Sequence, residues 1–145
     1  MKGRPDDLDV TLPVMLGIRI LDEEHAELIR RIKRFEELEQ QPSPEEAAAE
    51  LRAVFEFAQR HFAEEETAMA LAEYDELETH RKEHQELLRQ LERVFGCYES
   101  GDRSALYDVA ATLYAWLNEH LAKSDVRYVE SLCSNPKTAA MFGIR

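Results

Sequence analysis

An all-α fold, a four-helix bundle running up-down-up-down, is what this sequence predicts, and three observations predict it. Apolar residues recur at spacings of three and four in four separate stretches. Short segments with proline, glycine or aspartate separate those stretches, and the whole chain of 145 residues holds only five glycines and five prolines. A chain of this length suits one domain with a core of its own.

Each element has a local cause. Asp22 is expected to cap the first helix, whose buried stripe runs Leu28, Ile29, Ile32, Phe35 and Leu38. Gln41 and Pro42 break the pattern; Ser43, Pro44 and Glu46 then supply an N-cap, a first-turn proline and a capping box for the second helix. Its stripe is Leu51, Val54, Phe55, Ala58, Phe62 and Met69. After a break near Glu73 to Asp75, a third stripe of Leu77, Leu87, Leu88, Leu91, Val94 and Phe95 runs to a stop at Ser100 and Gly101. A fourth run begins at Asp102 or Ser104, carries Leu106, Val109, Ala110, Leu113, Trp116, Leu117, Leu121 and Tyr128 on one side, and ends before Asn135 and Pro136. Short connections between helices of similar length favour up-down-up-down order, because each helix can bury its stripe only against its neighbours. With no repeat or interdomain linker in view, residues 1–145 read as a single domain. The bundle takes residues 21–133, with an amino-terminal arm over 1–20 and a tail over 134–145 that pack across it.

Charge and composition narrow the function. Eighteen basic against thirty acidic side chains give a net charge of −12, which repels phosphate backbones and anionic membranes, so a nucleic-acid partner is not expected. The opening MKGRPDDLDV has no apolar signal region, and no stretch approaches the roughly 18 to 20 apolar residues of a membrane span, which points to the cytoplasm. Cys97 and Cys133 form no CxxC and fall at opposite ends of such a bundle; they read as reduced thiols.

The histidines carry the chemistry. A buried imidazole must satisfy two ring nitrogens, so histidine is a costly choice for a core stripe. Yet His25 sits beside Leu28 and Ile29 on the first stripe, and His120 lies between Leu117 and Leu121 on the fourth. His61 and Glu65 are four apart on the second helix, and His80 and His84 four apart on the third, so each pair projects from one face. In alternating helices all of these fall at the same height, toward one end of the bundle. Five histidines, the whole complement, then converge from four helices on one place. Asp125 stands five residues after His120, an angular step roughly 140° past a full turn, and joins them only if the helix widens locally. Glu65 is flanked by Glu64 and Glu66, a run that composition reads as a solvated face. Imidazoles with carboxylates suit iron, zinc, manganese or copper. Seven such ligands exceed one tetrahedral zinc and fit two carboxylate-bridged ions. No glutamate precedes any histidine by three residues, which sets aside the ferritin-like di-iron pattern.

The segments LDEEHAEL, HFAEEETAM, HRKEH and WLNEHLAKSD, in that order, resemble the bacterial hemerythrins over roughly residues 15 to 130. The resemblance implies two non-heme irons with an oxo or hydroxo bridge: His80, His84 and His120 on one, His25 and His61 on the other, Glu65 and Asp125 bridging both. It implies that the two-histidine iron keeps an open position for dioxygen, in a pocket of Leu28, Trp116, Leu117 and Leu121, with Phe62 and Tyr128 packed round the centre. Apolar lining of that kind keeps out water and stray proton donors. The segment VTLPVMLGIRI before the first helix lacks the tryptophan that many bacterial members carry. The function so implied is reversible dioxygen binding for carriage, storage or buffering, without catalysis. The alternatives are a di-iron enzyme that reduces peroxide, nitric oxide or oxygen, for which the pocket positions offer no acid or electron-transfer site, and an oxygen sensor acting through an unidentified protein partner.

Overall fold

A computed structural model describes residues 19–40, 44–120, 129 and 132–141. They form α1 (Arg19–Glu39), α2 (Pro44–Leu71), α3 (Leu77–Glu99), a 3-10 turn (Arg103–Leu106), α4 (Val109–Glu119) and α5 (Pro136–Met141), with no strand among the described residues. The fold is all-α. Helix α1 is already formed at Arg19, so Asp22 lies within its first turn instead of capping it, where its charge still favours the helix N-terminus. Ser43 lies outside the described residues. Between α2 and α3 the chain turns through Glu73, held in the left-handed region at φ 57°, with Tyr74 N–H donating to the Met69 carbonyl at 2.9 Å. Helix α3 ends where Ser100 folds its N–H and hydroxyl back onto the Gly96 carbonyl and Gly101 takes φ 109°, a conformation only glycine adopts without strain.

The fourth run is two pieces, not the one helix its periodicity predicts. Asp102 accepts from the Ser104 N–H at 3.1 Å and from its hydroxyl, which holds a single 3-10 turn. Tyr107 is then extended and Asp108 left-handed at φ 66°, and the α-helix starts only at Val109. The jog leaves Tyr107 exposed while Leu106 and Val109 both reach the core.

Neighbouring helices meet end to opposite end. His25, early in α1, faces Glu65, late in α2. Arg52 and Glu99 join the start of α2 to the end of α3, and Arg81 and Glu66 join the other ends. Tyr114 of α4 donates to buried Glu36, late in α1, at 3.1 Å. His120, just past α4, reaches Glu83, early in α3. Inside lies one apolar core, including Ile32, Phe35, Leu51, Val54, Leu91 and Leu113, each fully buried side chain contributing roughly 1.5–3 kcal/mol. A second, smaller cluster sits apart from it: Ala68, Met69, Ala72 and Leu132. Residues 132–134 are helical, the chain bends at Asn135, and α5 follows. Cys97 and Cys133 are free and exposed. No helix among the described residues is long and apolar enough to cross a membrane.

Candidate metal centre

Six polar side chains converge at one end of the bundle, and each is at most 5% exposed: His25, His61, Glu65, His80, His84 and His120. Helical spacing puts them there. His61 and Glu65 stand one turn apart on α2, as do His80 and His84 on α3. Of the three consecutive glutamates only the middle one turns inward; Glu64 is exposed and Glu66 half-buried.

Glu65 is the hub. Its Oε2 lies 2.8 Å from His61 Nε2 and 3.4 Å from His25 Nε2, and its Oε1 lies 3.2 Å from His84 Nε2 and 4.0 Å from His80 Nε2. Donor atoms of Glu65, His80, His84 and His120 all fall within 4.8 Å of one another, and so do those of His25, His61 and Glu65. One carboxylate therefore belongs to two clusters, one with three imidazoles and one with two.

A ring of outer carboxylates fixes the imidazoles. His61 Nδ1 meets Glu24 at 2.6 Å, His84 Nδ1 meets Glu66 at 2.8 Å, and His120 Nδ1 meets Glu83 at 3.1 Å. An ionised carboxylate only accepts, so each Nδ1 donates outward to its glutamate and each Nε2 is turned inward. His84 Nε2 and His120 Nε2 face each other across 3.2 Å. Glu65 Oε1 is buried and makes no hydrogen bond. A shared cation satisfies all three atoms at once, and this donor set of nitrogen and carboxylate oxygen fits iron.

Protons balance the charges of the metal-free cluster. Burial alone would push the His61 imidazole down, but the Glu65 charge, with bonds to Glu24 and Glu65, outweighs it and holds the group up at about 10. Burial would likewise raise the Glu65 carboxyl; the His61 charge and bonds from His25 and His61 instead hold it well below the usual carboxylate range. The bond from His61 keeps Glu24 low as well.

Aromatic faces pack the outer walls. Phe62 stacks on His84 at 3.8 Å between ring centroids, and Trp116 on His120 at 4.4 Å. Leu28 and Leu117 are buried, and Trp116 is half-buried against the core. Leu121, Asp125 and Tyr128 lie outside the described residues. The backbone has already widened to π geometry at His120, the residue from which the step to Asp125 is counted. Glu24, Glu66 and Glu83 escape a reading based on periodicity, because all three are half-exposed and lie off the apolar stripes, the first two within acidic runs. The available signal was their adjacency to His25, Glu65 and His84.

The family model of the hemerythrin HHE cation binding domain matches residues 16–131. The chain belongs to the hemerythrin family. The interval matched to the hemerythrin domain contains all five histidines. Proteins named bacteriohemerythrin, from strains of Pseudomonas aeruginosa and from Pseudomonas paraeruginosa, are each 24% identical over 116 residues, which is 80% of this chain and 75% of theirs. No solved structure matches this hemerythrin chain.

Proposed function

We propose that this protein binds dioxygen reversibly at a pair of irons. The observation that carries the reading is the unequal sharing of Glu65, with three histidines on one side and two on the other. In this reading His80, His84 and His120 hold one iron, His25 and His61 hold the other, and Glu65 bridges them with an oxo or hydroxo group. Asp125, assigned from the family resemblance, is the second bridge. The two-histidine iron is then one donor short of its neighbour, which leaves a position for a small ligand. The opposed directions of neighbouring helices support an up-down-up-down bundle as the scaffold.

A ferrous pair held here supplies the two electrons that reversible capture of dioxygen requires. The chain supplies the rest. Glu24, Glu66 and Glu83 keep protons on the outer nitrogens of His61, His84 and His120, which fixes ring orientation and raises donor strength. Leu28, Leu117 and Trp116 give the open side apolar surface, so that water and proton donors do not reach the bound gas; Leu121 is assigned to the same pocket from the family resemblance.

The test is a visible spectrum of the anaerobically reduced, iron-loaded protein as air is admitted and then swept out. A charge-transfer band that appears and vanishes over repeated cycles is the expected result. Oxygen consumption without a band, or a band that forms once and decays, assigns the centre to an enzyme or sensor instead. Replacing Leu117 by aspartate is expected to speed autoxidation at least about tenfold, a barrier change of about 1.4 kcal/mol. An unchanged autoxidation rate removes Leu117 from the pocket.

A further inference from the structure

Beyond the layer of histidines the bundle has one more layer before its end, and the chain closes it with its own carboxy-terminal segment. Ala68 and Met69 lie one turn past Glu65 on the same face of α2, and Leu77 lies one turn before His80 on α3. These residues do not belong to the main core. They form the separate cluster of Ala68, Met69, Ala72 and Leu132, with Tyr74, Leu77 and Val129 packed at its edge.

On the α2 side Ala68 and Ala72 are short, and the bulk of this layer comes from Met69 and, from the stretch just before α5, Leu132, each with 0% exposure. The segment that carries Leu132 is fastened. Thr138 of α5, also fully buried, donates its hydroxyl to the Leu132 carbonyl at 2.7 Å and lies 3.2 Å from that of Asn135. Asn135 in turn accepts from the Lys137 N–H at 2.9 Å, which fixes the start of α5 against α2.

We propose that Leu132, clamped by Thr138, is a stopper that retains the metals and keeps water from Glu65 and His80. The proposal rests on the two-metal reading of the centre. Because the small cluster is separate from the main core, it opens without the bundle unfolding, and local opening of lower cost than global unfolding is the route by which buried ions exchange. The stopper therefore sets the rate at which iron leaves, while the histidines set how tightly it is held.

The experiment uses the full chain, loaded anaerobically with ferrous iron and mixed with excess ferrous chelator, the release being followed by the colour of the chelate. Leu132→Ala is expected to release iron at least about tenfold faster than the natural chain, because it thins the layer over the site. Thr138→Val, which keeps the shape and loses the hydroxyl clamp, accelerates release less and serves if Leu132→Ala fails to fold. The comparison is Leu106→Ala, buried at 2% in the main core at the opposite end. It lowers global stability by a similar amount in a urea titration yet is expected to leave release within about twofold. Equal acceleration by Leu106→Ala and Leu132→Ala, or none by Leu132→Ala and Thr138→Val, overturns the proposal. A natural chain that takes up no iron fails at the earlier step: it sinks the two-metal reading, and the stopper with it.

Discussion

Replacing Glu65 by glutamine is expected to lower iron uptake from two ions per chain to one or none, and to destabilise the metal-free protein by about 3 kcal/mol. The side chains have the same size, so packing is kept and only charge and donor pattern change. The carboxylate is shared by both clusters, which makes it the one described residue whose loss affects both ions. In the metal-free chain it is also the charge that balances His61 inside the core. Breaking one side of a buried pair is costly because the other side keeps its desolvation without its partner. Iron per chain after desalting, with urea unfolding of the chelated protein, measures both effects. Glu64→Gln, one residue earlier and exposed, is the control expected to behave as the natural chain. A Glu65→Gln chain that still binds two irons would remove Glu65 from the centre.

The second large effect is a pH profile that metal reverses. The His61 imidazole is held at about 10 in the fold against 6.5 unfolded. Its stabilisation is therefore complete below about pH 6.5 and is lost as pH rises toward 10, at about 1.4 kcal/mol per pH unit. Glu65 acts in the opposite sense, since its lowered carboxyl stabilises the fold above about pH 4.5 and the contribution is lost on acidification. Metal-free protein should accordingly be most stable between those values and weaken toward alkaline pH. Iron takes the place of the proton on His61, so the loaded protein lacks that alkaline decline, and loading near pH 8 releases a proton from His61 and tightens as pH rises. Urea midpoints of chelated and loaded protein at a series of pH values, with proton release followed in weak buffer, check the sign and size. A flat metal-free profile would show that His61 is neutral in the fold.

Much of this was legible before any coordinates. Stripes of period 3.6 placed α1, α2 and α3, and the convergence in height of His25, His61, His80, His84 and His120 followed from helix direction and length. What periodicity does not carry is local competition with the helix. Asp102, bonding the Ser104 backbone, and Asp108, in the left-handed region, split the fourth run in a way no apolar spacing reveals. Nor does periodicity separate buried from half-buried carboxylates in a run such as Glu64, Glu65 and Glu66, where one residue of rotation decides which points inward. The packing of the carboxy-terminal stretch was illegible for a related reason: Leu132 and Thr138 are isolated anchors, and two buried residues make no stripe.

The outer carboxylates also write a direction. Glu24 stands one residue before His25, Glu66 one after Glu65, and Glu83 one before His84. One residue is a rotation of about 100° about the helix axis. In the up-down-up-down bundle proposed here, before, after and before all swing the same way around the bundle, from α1 to α2, α2 to α3 and α3 to α4. A bundle threaded in the mirror-image sense would need after, before and after. The placing of three acids by single residues thus encodes chirality, selecting which of two oppositely turning paths through the same four helices the chain takes.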